Sequence, residues 1–286
     1  NLYVLSYSSL LIYNISNPAS VSLTSTTSIG DVGFQIAVSG NYAYITQPID
    51  DKLVIYNISN PASPTLVNTG GTSIPADPQA VAVSGNYAVA SAFNSGLLYV
   101  YDISAPANPV LLNGGTTNIG SSASAIRIVG NYAYVLTDRI LIYDISAPST
   151  PTLINPAATA IGVSPSNMAV SGNYLHVTDN GDNKLRIYDI SNPVLPVLKN
   201  VGGTAVGNGG IDIAISGIYA YVANNTTNDF SIIDISDPTI PVIKTTGNTA
   251  TGNQLLCIAA AGNNVYTGTY GGTQVRVFNV ACASAA

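Results

Sequence analysis

The sequence predicts an all-β protein: a seven-bladed β-propeller of four-stranded antiparallel blades, its first and last blades incomplete, occupying residues 1–286 as a single domain. Three observations carry that expectation. First, a glycine that opens a hairpin recurs at Gly40, Gly85, Gly130, Gly172, Gly217 and Gly262, with spacings of 45, 45, 42, 45 and 45 residues. Second, within each period the apolar residues alternate with period two, the signature of strands, and turn residues punctuate the alternation. Third, only 8% of the chain is charged and 47% is apolar, with 18 tyrosines and no glutamate, so the surface helix formers are nearly absent. Disorder is excluded too, because it needs low hydrophobicity with high net charge, and the formal charge here is -6.

One period shows how the elements follow from the residues. Strand a is expected over 79–83 and is closed by Ser84-Gly85-Asn86, where Gly and Asn would supply the positive φ of a tight turn. Strand b begins at Tyr87 and stops before Asn94-Ser95-Gly96; strand c follows over 97–103. Pro106 and Pro109 then interrupt the pattern, since proline cannot donate to a central ladder, and strand d resumes over 110–112. A second marker runs in phase at the end of strand c, as Tyr13-Asn14-Ile15-Ser16, Tyr56-Asn57-Ile58-Ser59, Tyr101-Asp102-Ile103-Ser104, Tyr143-Asp144-Ile145-Ser146 and Tyr188-Asp189-Ile190-Ser191. Looser copies stand at Ile233-Asp234-Ile235-Ser236 and Phe278-Asn279-Val280-Ala281.

The chain opens in strand b of blade one (2–5) and closes in strand c of blade seven (275–279). Blade one therefore lacks strand a and blade seven lacks strand d. Open edges template further pairing, so the missing strands are expected from residues outside these ends, from the tail folding back, or from a neighbouring subunit.

The phrase Leu53-Val54-Ile55-Tyr56-Asn57-Ile58-Ser59-Asn60-Pro61 and its partners resemble the LVIVD repeat of bacterial and archaeal surface proteins, and are similar to YVTN-type propellers. The resemblance covers nearly the whole chain. It implies a surface propeller and implies no particular activity.

The recurrent Asp or Asn at 14, 57, 102, 144, 189, 234 and 279 looks like a ring of acids, but Asn and Asp interchange there. A short acceptor just before a turn is explained by bonding to backbone N–H groups. The tyrosines that open strand b, at 42, 87, 132, 174 and 219, are expected between blades with their hydroxyls at a wet edge. The turns joining b to c vary, and function sits on such loops. In blade five, Asp179 and Asp182 are the candidate calcium ligands. In blade six, Asn224 and Asn225 are glycosylation candidates in the longest variable loop, ahead of the sequons at Asn14 and Asn57.

No catalytic residue and no cofactor is expected. The single histidine, His176, sits where other blades carry Tyr or Val, and no Gly-x-Ser-x-Gly elbow, phosphate loop or His/Cys cluster occurs. Eight scattered cations argue against nucleic acid. No apolar run of about 18 residues or more is present to span a membrane as a helix.

Asn1 is not preceded by a basic or apolar leader, and the Ser/Thr/Asn-rich surface fits a mature secreted protein of the cell exterior. Cys257 starts strand a of blade seven and Cys282 follows strand c, so they are expected at opposite faces, beyond the roughly 7 Å Cα limit of a disulfide. An intrachain bond would need the tail to double back; an interchain bond would build a head-to-tail assembly. The functional expectation is a non-catalytic extracellular structural protein, a filament or surface-layer subunit whose partner is itself. The alternatives are an adhesion module for a glycan or surface protein, and a lactonase-like or other hydrolytic propeller.

Overall fold

The computed structural model describes residues 1–155, 159–245, 251–271 and 275–280. Two compact units divide the chain, Asn1–Thr137 with Leu141–Pro156 and Asp138–Ile140 with Ala157–Ala286. All regular structure among the described residues is strand, apart from one 3-10 turn (Pro18–Ser20) capped by the Asn17 side chain. Seven antiparallel sheets follow the chain, one per repeat.

Blade one comprises β1 (Leu2–Ser6), β2 (Ser9–Asn14) and β3 (Ser22–Ser28). Blade two holds β4 (Ile36–Ser39), β5 (Tyr42–Gln47), β6 (Lys52–Asn57), β7 (Thr65–Leu66) and β8 (Thr72–Ser73). Blade three holds β9 (Pro78–Ser84), β10 (Tyr87–Ala92), β11 (Leu97–Asp102), β12 (Val110–Leu111) and β13 (Thr117–Asn118). Blade four holds β14 (Ala125–Val129), β15 (Tyr132–Leu136), β16 (Arg139–Asp144), β17 (Thr152–Leu153) and β18 (Thr159–Ala160). Blade five holds β19 (Pro165–Ser171), β20 (Tyr174–Asp179), β21 (Lys184–Asp189), β22 (Val197–Leu198) and β23 (Thr204–Ala205). Blade six holds β24 (Gly210–Ser216), β25 (Tyr219–Asn224), β26 (Asp229–Asp234) and β27 (Val242–Thr245), and blade seven β28 (Leu255–Ala261), β29 (Asn264–Thr269) and β30 (Arg276–Asn279).

Each complete blade has its a, b, c and d strands side by side, and among the described residues blades one and seven have three strands each. Among the described residues β1 pairs only with β2, and β30 only with β29. The hairpin glycines take φ near +55°, as at Gly40, Gly85 and Gly172. The following asparagines do not share that conformation, which corrects the expected role of Asn86. Its carbonyl instead accepts the N–H of Ile103 at 2.8 Å, and Ile218 does the same for Ile235 in blade six, so no asparagine side chain is needed there.

A larger difference lies at strand d, which is broken in blades two to five. In blade three, β12 pairs with the end of β11 and β13 pairs with its beginning, while the chain between them bulges away. The gap is filled by Asn113, which is buried. Its Oδ1 accepts Val100 N–H at 3.0 Å, and its Nδ2 donates to Leu98 O at 2.7 Å and to Thr117 Oγ1 at 3.0 Å. Asn68 and Asn200 repeat every one of these bonds, on Ile55, Leu53 and Thr72 and on Ile187, Leu185 and Thr204. Asn155 accepts Ile142 N–H at 2.7 Å. A buried strand cannot leave N–H and C=O groups unpaired, and the primary amide, with one donor edge and one acceptor edge, stands in for a missing backbone unit.

Cores form between neighbouring sheets. Tyr44, Leu53 and Ile55 of blade two pack with Val81, Ala88, Ala90 and Tyr101 of blade three. The strand-c tyrosines cross these seams: Tyr56 donates to Ser28 O, Tyr101 to Ser73 O at 2.7 Å and Tyr143 to Asn118 O at 3.0 Å. Burial raises the phenol pKa of all three, so they remain neutral donors.

Candidate functional site

Six members of the recurrent Asp/Asn set end strand c as Asx turns: Asn14, Asn57, Asp102, Asp144, Asp189 and Asp234 each accept the N–H of the residue two positions on. The bond to the following Ser holds the Asp102 and Asp144 carboxyls below the usual range. These side chains shape turns. The strand-b tyrosines are half-buried, and Tyr42 packs against the core of blades two and three.

Asp179 and Asp182 do come together, around an arginine. Asp179 ends β20 and is buried; its oxygens accept from Val163 N, Ser164 N and Gly181 N at 2.8 to 3.0 Å and from Arg186 Nη1 at 3.2 Å. Asp182 pairs with both terminal nitrogens of the same guanidinium. The positive charge these two carboxylates hold here is Arg186, and every donor around Asp179 is an N–H group. No set of three or more His, Cys, Asp or Glu side chains is placed to hold a metal among the described residues.

The structure corrects the placement of Asn224. It ends β25 with 0% exposure, and its Nδ2 donates to Asp229 Oδ1 and Ser231 Oγ, so in the folded chain it is not on an exposed loop. Asn225 is half-buried, donating to Leu255 O and accepting from Gln254 Nε2. Cys257 is exposed, with its Sγ 4.0 Å from Gly268 O. Desolvation of the sulfur, together with the nearby Asp212 carboxylate, pushes its thiol up to about 11. Cys282 lies outside the described residues. No helix among them is long and apolar enough to cross a membrane.

His176 lies in β20 opposite Ala169 and Ile187, and Ile187 belongs to the core shared with Ile213, Ala220 and Val222. Only 2% exposed and without a partner for Nδ1, it has its pKa lowered by desolvation from 6.5 to about 4. The unfolded chain then binds more protons than the folded one between those values, so stability is full above pH 6.5 and falls as pH drops toward 4. From pH 7.5 to 5 the loss is expected to be about 2 kcal/mol. Tyrosine occupies the same hairpin position at Tyr44, Tyr134 and Tyr221, so His176→Tyr should flatten the slope of melting temperature between pH 5 and 6.5. An unchanged slope would assign the effect to other groups.

The loops on the b–c side of blades one to three expose several large apolar side chains. Tyr7 is 76% exposed, Ile49 72%, Phe34 56% and Phe93 46%. Main-chain bonds fix these loops in a row. Gly33 N–H bonds Tyr7 O, Phe34 N–H bonds Thr46 O, Ile74 N–H bonds Asp51 O and Phe93 N–H bonds Asp77 O, all at 2.8 to 2.9 Å. Asp51 Oδ1 accepts Asp77 N–H at 2.7 Å. Between the rows opens a cleft of about 350 Å³ lined by Pro48, Ile49, Asp51, Ala76, Asp77 and Asn94. Tyr7, Asp51, Ala76 and Asp77 all have positive φ, an unfavourable region for residues with a Cβ. The sequence marked the b–c turns as variable, but the contribution of 74–77 carried no signal, since it depends on which loops the fold sets side by side.

The model of the LVIVD repeat matches residues 30–72, 76–117, 120–159, 164–201 and 210–249. The chain belongs to the LVIVD-repeat family. Its matched segments are blades two to six, and blades one and seven keep the same strand order at looser sequence. No curated protein matches the chain significantly. Among solved structures, a functionally unknown protein from Desulfotomaculum acetoxidans is 17% identical with a TM-score of 0.68, over 84% of this chain and 75% of that one. A Lactobacillus plantarum protein is 14% identical with a TM-score of 0.69, over 87% and 82%. A Bacteroides uniformis protein whose name suggests a 6-phosphogluconolactonase is 15% identical with a TM-score of 0.68, over 85% and 78%. Such identities establish a shared propeller fold and leave function to the site.

Proposed function

We propose that this LVIVD-repeat propeller is a non-catalytic protein of the cell exterior that works by contact, holding another macromolecule on the b–c loops of its first three blades and the d–a connections bonded to them. The observation that carries this is the exposure of Tyr7, Phe34, Ile49 and Phe93 on loops whose backbones are already bonded in place, with Ile49 lining the cleft. A preformed loop surface loses little conformational freedom on binding, and burying large apolar side chains supplies the affinity. To test it, beads carrying the chain are mixed with envelope extract of the producing organism. Ile49→Asp with Phe93→Asp should cut retention by more than about tenfold while leaving the circular dichroism spectrum unchanged. Retention unaffected by the pair would refute the assignment of this face.

A second reading, self-assembly, is favoured by the outer strands. β7, β12 and β17 are edge strands that display Leu66, Val110, Leu111 and Leu153 to solvent, with no lysine on those strands to discourage pairing. Sedimentation of native material separates the two readings. Polymers dissolved by Val110→Lys with Leu111→Lys support assembly, and a monomer that still binds envelope supports the binding module.

A further inference from the structure

The charge of the proposed binding face narrows what it can hold. Its loops in blades one to three carry Asp31, Asp50, Asp51 and Asp77 against a single cation, Lys52, and Lys52 Nζ already sits 3.4 Å from Asp50 Oδ2. In the cleft itself Asp51 spends one oxygen on the Asp77 N–H, and the half-buried Asp77 carboxylate has no hydrogen-bond or ion-pair partner among the described residues. No cation lines the cleft. A carboxylate without a protein partner is free to accept a charge-assisted bond from a ligand cation.

We infer that the partner is a different polypeptide, which presents a Lys or Arg side chain between apolar residues: the cation enters the cleft between Asp51 and Asp77, and its apolar neighbours lie on Ile49 and Phe93. This deepens the binding reading and rests on it. A neutral glycan can donate hydroxyls to the carboxylates but brings no counter-charge, and an acidic glycan or an anionic lipid surface is repelled by them. A second copy of this chain is a poor source, because it has eight cations in all and Arg139, Arg186 and Lys244 are each in ion pairs of their own.

The test is an NMR titration of the intact chain with the end-blocked peptide Ala-Val-Lys-Val-Ala, compared with the same peptide acetylated on lysine, with Glu in place of Lys, and with chitotetraose. The lysine peptide should shift the amides of Asp77 and Asn94 and bind about tenfold more tightly than its acetylated form. Asp77→Asn should remove that preference, and Asp50→Asn, outside the cleft lining, should keep it. Equal binding of the two peptides, a preference that survives Asp77→Asn, or no shift at about 5 mM peptide would overturn the inference. If envelope retention is still lost in the Ile49→Asp, Phe93→Asp protein under any of those outcomes, the binding face stands and only its cationic partner falls. If retention is unaffected as well, both fall.

Discussion

Asp179→Ala is expected to destabilise the second unit by roughly 3–5 kcal/mol, the range for removing one member of a buried ion pair. The size follows from what is left behind. The N–H groups of Val163, Ser164 and Gly181 lose their acceptor, and Arg186 keeps only Asp182. Asn in place of Asp should recover little, because its NH2 would face donors. Gly162 supplies an internal control: its φ is +30°, and a Cβ built there would collide with Asp179 Oδ2. Gly162→Ala should therefore cost far less in the Asp179→Ala background than alone. Chemical denaturation of the four proteins in this cycle measures the coupling. A loss under about 1 kcal/mol for Asp179→Ala would mean that water replaces the carboxylate and the site is not structural.

Asn113→Ala should cost roughly 2–4 kcal/mol in the first unit, since each buried backbone group left unsatisfied costs about 1–3 kcal/mol and two are exposed at once, Val100 N–H and Leu98 C=O. Asn113→Asp is a sharper probe. It keeps the acceptor for Val100 but places a carboxylate against the Leu98 carbonyl, so it should also destabilise at neutral pH and recover when the carboxyl is protonated. Amide exchange at Val100 reports the local opening directly. If that amide stays as protected in Asn113→Ala as in the parent, the amide side chain is not what closes the split strand.

The split of strand d explains where reading the residues succeeded and where it stopped. Hairpin glycines, period-two runs and paired prolines announce elements because each acts through its own backbone: Gly85 turns the chain wherever it is placed, and Pro106 and Pro109 stop a ladder by lacking N–H groups. The segment 113–117 reads as a loop by the same rules, being Asn-Gly-Gly-Thr-Thr. A signal was nonetheless present, since Asn and Thr four residues apart recur as Asn68 and Thr72, Asn113 and Thr117, Asn155 and Thr159, and Asn200 and Thr204. Its meaning appears only when strand c lies alongside. The same applies to Asp179 and Asn224: an Asx-rich turn looks exposed along the chain, yet both are the last, buried residues of strand b, turned inward onto loops and strands the linear pattern does not place.

The sequence by itself determined the class, the number of blades and the order of strands within each. Those properties are periodic, and a periodic backbone preference is written locally, repeat after repeat. Tertiary structure alone decided that Arg186 sits between Asp179 and Asp182, that His176 is kept neutral, and that Ile49, Asp51, Asp77 and Asn94 share one cleft. Each of these depends on the distance and dielectric between groups that successive blades bring together, and neither quantity is encoded in the residues one at a time.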